Sequence, residues 1–475
     1  MVRVHRSSQN GHQFDDRFFL CFVLSEIKKM KSNQIDMTTG AIFPKLMKFS
    51  IPLMLSSILQ LFFNAADVVV VGRFAGDNSL AAVGSTSSLV NFLVNTVLGI
   101  SIGCNVVAAN FTGCGDSKKL SLTVHTSFVL GLLCGVFISV VGVLFSRQIL
   151  IIMDAPEEVL PLSALYLRIY FCGIFPSVVY NFGSALLRAK GDTKRPLYIL
   201  FVSGILNVVL NLVFVIKFNL DVAGVAWATV ISQTLSAVCV FFILLTENDD
   251  FKLDLKKLCL NSDILAKILK IGVPAGFQSS LFSFSNMVIQ STVNSFGAVA
   301  VAGSSASQSI EGFVYISMNS IAQGSLTFVS QNVGAKKIDR VKRVVLTSLF
   351  SVCIVGTVIG GICILFSRQL FSFFTANPLV IEKASERFLV ICSTYFTCGI
   401  MDVMANSLRG MGRSLMPAVM TLIFVCGSRL IYLFTVFKLP CLYSFNNIFL
   451  SYPISWIITF LMLLFSFIFV ISKEK

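Results

Sequence analysis

The sequence predicts an all-α polytopic membrane protein, with twelve transmembrane helices arranged as two pseudo-symmetric six-helix lobes. Three observations indicate this fold class: the composition, the recurrence of long apolar segments and an internal repeat. The 475 residues are 55% hydrophobic and only 13% charged, with a mean hydropathy of +0.84. A soluble chain carries about 25% charged residues, so this composition leaves no room for a sizeable soluble domain.

The apolar segments divide the chain into twelve predicted spans, each about 20 residues or longer and therefore able to cross a bilayer as a helix. They lie at 49–71, 80–107, 120–145, 160–186, 196–217, 222–246, 264–294, 298–327, 343–367, 386–408, 416–437 and 448–472. The apolar segment at 18–24 is too short to span a bilayer and is flanked by charge, so it is not counted.

Basic residues in the loops between these spans predict the orientation. Five alternate loops hold 18 Lys and Arg residues, and the other six hold seven. Cytoplasmic loops carry the excess of Lys and Arg, so both termini are predicted to be cytoplasmic in a multi-pass protein of the cell membrane. This topology accounts for the net charge of +14. A nucleic-acid partner is not expected, because the sequence has no basic helix or Arg/aromatic patch.

An internal repeat indicates the two lobes. LFSRQ occurs at 144–148 and again at 365–369, and LRAKGDTKRP at 187–196 matches LRGMGRSLMP at 408–417 in its Leu-Arg, Gly and Pro positions. Both matches have the same offset, since position 144 pairs with 365 just as position 187 pairs with 408. Self-similarity at one fixed offset is the signature of a repeated architecture.

Two further matches agree with this offset. Gly113 pairs with Gly334 at the same offset, and the dipeptides at 51–52 and 273–274, which both end in Pro, agree with it to within one position. Since six spans is an even number, both halves enter the membrane from the same side. They are therefore predicted to be related by an axis along the membrane normal, with a cavity between them, which is typical of transporters.

The repeat and the loops set the predicted domain boundaries. An N-terminal extension, 1–36, is expected to be disordered, and no signal peptide is expected, since no small-residue cleavage site follows the apolar run. Residues 1–29 are expected to be dispensable, because no counterpart precedes the second repeat; the alternative is an interfacial amphipathic anchor. The N-lobe is predicted at 37–246, a cytoplasmic linker at 247–263 and the C-lobe at 264–475.

The repeated segments also resemble a known family. The segments FSIPLMLSSILQLFFNAADVVVVGRFAG, LAAVGSTSS, LLRAKGDTKRP, LNVVLNLVFV and LRGMGRSLMP, in this order and spacing, resemble the multidrug and toxic compound extrusion (MATE) transporters. The likeness runs from about residue 37 to residue 472. It implies efflux of amphiphilic, often cationic compounds by alternating access, in exchange for inward-moving H⁺ or Na⁺. The same superfamily includes flippases of lipids and lipid-linked oligosaccharides, so a flippase is the alternative function.

The first span carries an acid within an apolar run. Asp67 shares one helix face with Ser56, Gln60 and Asn64, at spacings of i, i+4, i+8 and i+11. A charged Asp at mid-bilayer costs about 3 kcal/mol on insertion scales, so such residues face a protein interior or a water-filled cavity. The alternative is a static hydrogen-bonded acid. The resemblance implies that Asp67 matches the first-helix acid at which family members bind protons or cations.

Three further polar residues accompany this acid in the first half. Asn207 and Asn211 stand at i and i+4 on the fifth span, and Thr229 lies on the sixth. The resemblance implies that all three border the coupling site, although Asn211 stands where related members carry a second acid. One carboxylate with several amide oxygens forms a set of hard ligands suited to Na⁺. The alternative is that the asparagines pack the helices together.

The second half has its own polar residues within or near predicted spans. As a C-lobe polar or substrate site we consider Gln278, Asn286, Glu311, Asp402 and Arg429. The alternative hypothesis is that Glu311 or Asp402 forms a neutralising pair with Arg429. A flippase cavity should hold several Arg or Lys residues, and only Arg429 lies clearly at mid-span, with Arg168 as a second candidate.

Other chemistries find little support. The 13 Cys and three His form no CxxC pair or Cys/His cluster, so neither a disulfide scaffold nor a metal site is expected. No GxxxxGK[ST] motif is present, so ATP does not power the protein directly. The acids of ENDDFKLD at 247–254 are wrongly spaced for a diphosphate-binding membrane enzyme. We therefore expect no enzyme activity and no organic cofactor, only small amphiphiles and lipid as partners, and a monomer.

Overall fold

The computed structural model describes residues 34–153 and 157–474. Most of the predicted extension, including the dispensable segment 1–29, lies outside these residues. The described residues form twelve long helices: α1 (Ile42–Phe74), α2 (Asp77–Cys114), α3 (Ser117–Ile152), α4 (Leu160–Lys190), α5 (Lys194–Leu212, continued by a π-turn over Val213–Lys217), α6 (Asp221–Thr246), α7 (Ser262–Asn294), α8 (Ala298–Gly334), α9 (Ile338–Leu365), α10 (Pro378–Gly410), α11 (Leu415–Met420, a π-segment Thr421–Gly427 and Ser428–Phe434) and α12 (Ser451–Lys473).

Each predicted span coincides with one of these helices. Ten of the described helices are long and apolar enough to cross a membrane by length and composition. The two others are α7 and α8, whose sequences are interrupted by Ser, Asn and Gln. The helices extend past the predicted spans because helical hydrogen bonding continues into the polar residues that flank the apolar run. The predicted span 298–327, for example, lies within a helix that continues to Gly334.

Local sequence signals explain where several helices begin and end. Asn261 caps α7 by accepting a hydrogen bond from the Ile264 N–H at 3.0 Å, and Asp116 accepts one from the Lys119 N–H at 3.0 Å at the start of α3. α4 ends at Gly191, whose φ of 97° is the left-handed conformation that favours glycine at a helix C-terminus. The chain therefore turns sharply between consecutive helices.

The first helix of each lobe packs into the core of the other lobe. Leu46 and Phe49 of α1 belong to the buried apolar cluster of the C-lobe. Ile268 and Ile271 of α7, their counterparts in the repeat, belong to the cluster of the N-lobe. This reciprocal exchange confirms the parallel repeat and joins the lobes at the end of the bundle where α1 and α7 begin, which we call the terminal end.

Close glycine contacts form the seam between the lobes at the terminal end. A Cβ atom at Gly113 would lie 1.9 Å from the carbonyl oxygen of Gln331, and one at Gly334 would lie 2.0 Å from that of Asn110. Asn110 and Gln331 are themselves related by the offset of the repeat. The two contacts are thus exchanged by the pseudo-two-fold axis, and each requires a residue without a side chain.

The segment just before α1 crosses this seam, and we call Ile35–Thr39 the strap. The Ile35 N–H donates to the Gly191 carbonyl of the N-lobe at 3.4 Å. On the C-lobe side, side chains donate to main-chain carbonyls of the strap at 2.6 to 3.2 Å, from Asn332, Lys337 and Arg340. Ile35, which the sequence assigns to the extension, therefore already contacts both lobes, because it also belongs to the buried apolar cluster of the C-lobe.

Candidate functional site

Four of the predicted N-lobe residues form one chain of hydrogen bonds between α1, α5 and α6. The Asn211 amide donates to an Asp67 carboxylate oxygen and, at 3.3 Å, to the side-chain oxygen of Asn207. The Asn207 amide donates to the Thr229 hydroxyl at 3.4 Å. We call this group the Asp67 site. Both hydrogens of the Asn211 amide are engaged, whereas its buried side-chain oxygen has no hydrogen-bond partner in the described part of the chain.

Asn64 is not part of this chain of hydrogen bonds but lies one turn before Asp67 and is exposed. Further along the same face of α1, Ser56 and Gln60 line the cavity between the lobes. The predicted polar stripe therefore runs from the cavity, past Asn64, to the Asp67 site. Such a stripe gives water or an ion a polar path along an otherwise apolar helix.

Tyrosine rings and an apolar cluster surround the Asp67 site. Tyr166 and Tyr170 of α4 stack with ring centroids 6.1 Å apart, and both lie near enough to experience the charge of Asp67. Tyr166 also packs against a cluster of buried aliphatic side chains from α1, α2, α5 and α6. These residues enclose Asp67 on the side away from the terminal end.

A polar cavity of about 340 Å³ lies between the lobes. It is lined from the N-lobe by Ser56, Gln60, Asn181 and Arg188 among others, and from the C-lobe by Gln278, Tyr315, Asn319, Asp402 and Arg409 among others. A second space of about 350 Å³, which we call the C-lobe chamber, is lined by Asn286, Tyr395, Arg429, Tyr452 and Trp456 among others. Asp402 and Tyr315 line both spaces, so the two adjoin each other.

Amide side chains orient the charged groups at the boundary between these spaces. Asn319 donates to Asp402 at 3.5 Å and to the Tyr315 hydroxyl at 3.2 Å. Arg409 donates to Gln278 at 2.7 Å and to Asn406 at 2.9 Å. Two of the predicted C-lobe residues, Gln278 and Asp402, are thus brought to one polar patch.

Arg429 is held separately, in the C-lobe chamber. Its guanidinium donates to Ser455 at 3.1 Å, to Ser285 at 3.2 Å and to Asn286 at 3.1 Å. It also lies over the ring of Tyr452, 4.3 Å from the centroid, at cation–π distance. All of these partners are neutral.

The hypothesis that Glu311 or Asp402 neutralises Arg429 is wrong. Glu311 instead accepts two hydrogen bonds from Arg387, each of 2.9 Å, in a buried bidentate ion pair. Asp402 lies beside Arg409 and feels its charge. The error has a physical cause: residue 386 is the predicted start of the span, which places Arg387 at the membrane edge among the loop charges, whereas the helix begins at Pro378 and carries Arg387 into the bundle.

Sequence reasoning also missed the two arginines of the central cavity. Arg188 and Arg409 were counted with the loop charges, but they lie in the last turns of α4 and α10. The signal was present in the repeat, because each arginine precedes by three residues a glycine with positive φ that ends the helix, Gly191 or Gly412. Arg168, the second mid-span arginine considered, is exposed on α4.

Comparison with known proteins identifies the family that this chain matches. The family model MatE matches the chain twice, over residues 52–213 and 274–435. A probable multidrug resistance protein of Bacillus subtilis, YoeA, is 27% identical over 434 residues, which is 90% of this chain and 94% of that protein. The multidrug export protein MepA of Staphylococcus aureus is 22% identical over 382 residues, 80% of this chain and 84% of that protein.

A solved structure shares the fold. The outward-facing structure of a multidrug resistance transporter of the MATE family superposes with a TM-score of 0.86, at 19% identity, over 94% of this chain and 99% of that one. The two matches to the family model, one in each lobe, coincide with the internal repeat of the sequence.

Proposed function

Because the chain belongs to the MatE family of multidrug transporters, we propose that it exports amphiphilic compounds by secondary active transport, in exchange for H⁺ or Na⁺ bound at Asp67. The observation that carries this proposal is the contact between Asp67 and Asn211, with the unpartnered Asn211 oxygen beside it. A carboxylate and a free amide oxygen together offer either a proton site or oxygen ligands for Na⁺.

Cation binding at Asp67 changes the bonding between α1 and α5. The ionised carboxylate accepts a charge-assisted hydrogen bond from Asn211, which is about twice as strong as a neutral one. Protonation, or coordination of Na⁺, replaces that attraction and weakens the link between the two helices. The cation and the cargo can therefore favour different arrangements of the N-lobe, which is the thermodynamic requirement for exchange.

The lobes supply the alternating access. The seam and the strap close the terminal end, and the cavity lies between the lobes beyond them. Rocking of one lobe against the other must part the seam and expose the cavity to the terminal side. We assign that side to the cytoplasm of a cell-membrane protein on the distribution of loop charges, so the arrangement described here faces outward.

One chain supplies every part of this mechanism. Both lobes, the seam, the cavity and the Asp67 site come from a single polypeptide, which supports a monomeric transporter. The coupling ion is cargo rather than a resident cofactor, and we assign no organic cofactor, structural metal or catalytic role to the chain.

The test is dye transport in everted membrane vesicles under an imposed pH gradient and then under an imposed Na⁺ gradient. We expect one of the two gradients to drive uptake of a xanthene dye, rhodamine 123 or fluorescein, by the wild-type protein, and Asp67→Asn to reduce this uptake to the level of vesicles without the protein. The amide cannot bind and release a proton, and it is a weaker ligand for Na⁺.

Asp339→Asn is the matched control, because it makes the same chemical change at an acid of α9 that is 85% exposed and lies outside the cavity and the Asp67 site. It should retain gradient-driven uptake. Full uptake by correctly inserted Asp67→Asn protein would show that coupling does not pass through this carboxylate.

A further inference from the structure

We propose that the central cavity and the C-lobe chamber bind an amphiphile with an anionic group, held by Arg409 and Arg429, beside a planar aromatic body held by the rings of the chamber. This inference rests on the proposed function and deepens it, because it names the chemical class of the cargo. It departs from the cationic compounds that the family resemblance implies.

The balance of charge in the two adjoining spaces is positive. Their described lining includes three arginines, Arg188, Arg409 and Arg429, and one acid, Asp402. None of the three arginines forms a salt bridge within the described residues. A surface of this charge attracts anions. It disfavours binding of a cation, for which Asp402 is the one acidic partner in the described lining.

Arg387 shows how this protein treats an arginine that has a structural role. Its guanidinium meets both oxygens of Glu311, a third hydrogen bond at 2.9 Å joins it to Ser304, and it stacks on Phe449 with 4.7 Å to the ring centroid. Its charge is neutralised by the carboxylate. Arg387 lies outside the lining of both spaces. It therefore serves as the reference for a buried arginine whose charge is neutralised within the protein.

Arg409 and Arg429 differ from Arg387, because neither forms a salt bridge within the described residues. Arg409 is only 9% exposed, is held by two neutral amide groups, and its Nε has no hydrogen-bond partner in the described residues. Arg429 is only 2% exposed and is bonded to neutral oxygens. Asp402 lies beside Arg409 but forms no salt bridge with it, and the described lining sets this one acid against three arginines. A buried charge that is incompletely neutralised is costly, so an anion that enters these spaces gains electrostatic attraction.

The position of the arginines also suits a transported ligand. Arg188 and Arg409 occupy symmetric positions of the repeat and line the same cavity from opposite lobes. An anion between them contacts both lobes at once. When the lobes rock, the separation of the two guanidinium groups changes, so the affinity for the anion differs between the two arrangements, as transport requires.

The C-lobe chamber supplies the complementary aromatic surface. The rings of Tyr395 and Trp456 stack with centroids 5.4 Å apart, and Tyr452 lies 5.5 Å from Trp456. Arg429 lies over Tyr452 in the same chamber. Flat walls of this kind favour a planar ring system over a saturated lipid chain, which is why we assign a ring-bearing anion rather than a lipid.

Binding of two dyes that share one ring system tests this assignment. Fluorescein is anionic and rhodamine 123 is cationic, and both are built on xanthene. We expect wild-type protein in phosphatidylcholine nanodiscs to bind fluorescein at least about 10-fold more tightly than rhodamine 123, by fluorescence anisotropy. Arg409→Gln and Arg429→Gln should each weaken fluorescein binding by about 10-fold or more, since each removes a charge-assisted contact.

The matched control is Arg413→Gln. Arg413 lies in the turn after α10, is 57% exposed and contacts Glu474 at 3.8 Å on the terminal surface. This variant removes one positive charge outside both spaces and should leave the affinities for both dyes unchanged. Arg429→Gln also keeps the test independent of Arg409→Gln, in case the latter variant does not fold.

Several results would overturn the inference. These are equal or tighter binding of rhodamine 123 by the wild-type protein, or fluorescein binding that neither arginine variant changes. Displacement of fluorescein when phosphatidylglycerol replaces phosphatidylcholine in the nanodiscs would assign the arginines to a lipid headgroup instead.

The transport assay separates this inference from the proposed function. Gradient-driven uptake of rhodamine 123 without fluorescein binding would overturn the inference and leave the transporter intact. Arginine-dependent fluorescein binding without gradient-driven uptake of either dye would support the anion site and overturn the coupled transport.

Discussion

The two lobes share one fold but carry different charges. In the N-lobe, Asp67 is held by amide groups, whereas the corresponding stretch of α7 carries the apolar residues Val288 and Ile289. In the C-lobe, Glu311 and Arg387 form a buried ion pair, and their counterparts in the repeat are Val90 and Tyr166. Each lobe thus has an ionised centre at a place where the other is neutral.

The symmetry is retained where the lobes touch. The glycines of the seam are related by the repeat, and so are the two arginines that face the central cavity, Arg188 and Arg409. Other positions of that cavity have diverged, and among them Asp402 corresponds to Asn181. The comparison teaches that the repeat preserves the contacts between the lobes and has diverged in the ionisable groups, which supports cation coupling in the N-lobe and recognition of charged cargo in the C-lobe.

The largest expected effect comes from breaking the ion pair that only the C-lobe has. Glu311→Gln leaves the buried Arg387 without its counter-charge, and removal of one partner of a buried pair destabilises a protein by about 3–5 kcal/mol. We expect the thermal unfolding midpoint of the detergent-solubilised protein to fall accordingly.

The control makes the C-lobe resemble the N-lobe at these two positions. The double variant Glu311→Val with Arg387→Tyr should recover most of the lost stability, because a neutral, packed pair leaves no charge uncompensated. A Glu311→Gln protein that unfolds at the wild-type temperature would show that the pair does not stabilise the C-lobe.

A smaller effect is expected from the symmetric seam. Gly113→Ala and Gly334→Ala each place a methyl group within about 2 Å of a main-chain oxygen, and such overpacking costs about 1–3 kcal/mol. Both should open the terminal end to a similar degree. The readout is hydrogen–deuterium exchange, followed by mass spectrometry, of peptides that cover the strap, whose Ile35 N–H donates to the Gly191 carbonyl at 3.4 Å.

Gly361→Ala in α9 is the control, because a Cβ there meets no neighbouring atom within 4 Å. It should leave the hydrogen–deuterium exchange of the strap unchanged. If only one of the two seam variants opened the terminal end, the contacts of Gly113 and Gly334 would contribute unequally to closure, although the repeat relates them in sequence.

The smallest expected effect concerns the strap that joins the lobes. Partial burial raises the pKa of Asp36, but hydrogen bonds from Thr39 and Thr38 outweigh it and lower the pKa from 3.8 to about 2. A carboxyl with a lowered pKa stabilises the fold above its ordinary pKa, and this contribution disappears as the pH falls from about 4 to about 2. Because the side chain is 53% exposed, the effect should stay below about 1 kcal/mol.

The measurement is the difference in unfolding midpoint between the wild-type protein and Asp36→Asn. This difference should be constant between pH 5 and pH 7 and should vanish on acidification to about pH 2. Asp254→Asn is a control on the linker, outside the strap. A difference that persists at pH 2 would show that the carboxylate charge does not fasten the strap.

The fold was predictable because it depends on features that sequence records directly. Apolar runs gave the twelve helices, and Gly113 and Gly334 gave the offset that places the lobes. The grouping of Asp67, Asn207, Asn211 and Thr229 was also predicted, but only the spacing on each helix came from sequence. That α1 packs against α5 and α6 could be predicted only from the family resemblance.

The C-lobe charges were harder to predict, because pairing between helices depends on how far each helix extends. Arg409 lies in the last turn of α10, just beyond the predicted span, and Arg387 lies at the first residues of that span although the helix begins earlier, at Pro378. With the helix at its full length, Arg387 reaches Glu311 and Arg409 reaches the cavity. Sequence periodicity within one helix does not contain that information.

The exchanged contacts of Gly113 and Gly334 have the geometry of an isologous interface, in which each half returns the contact it receives. Two identical subunits of a C2 dimer associate in this way, and here the segment 247–263 joins them into one polypeptide. In a homodimer every substitution appears twice, so an acid such as Asp67 would come with a copy in the other subunit. Covalent fusion removes this constraint, and it allows one lobe to hold Asp67 while the other holds the ion pair of Glu311 and Arg387.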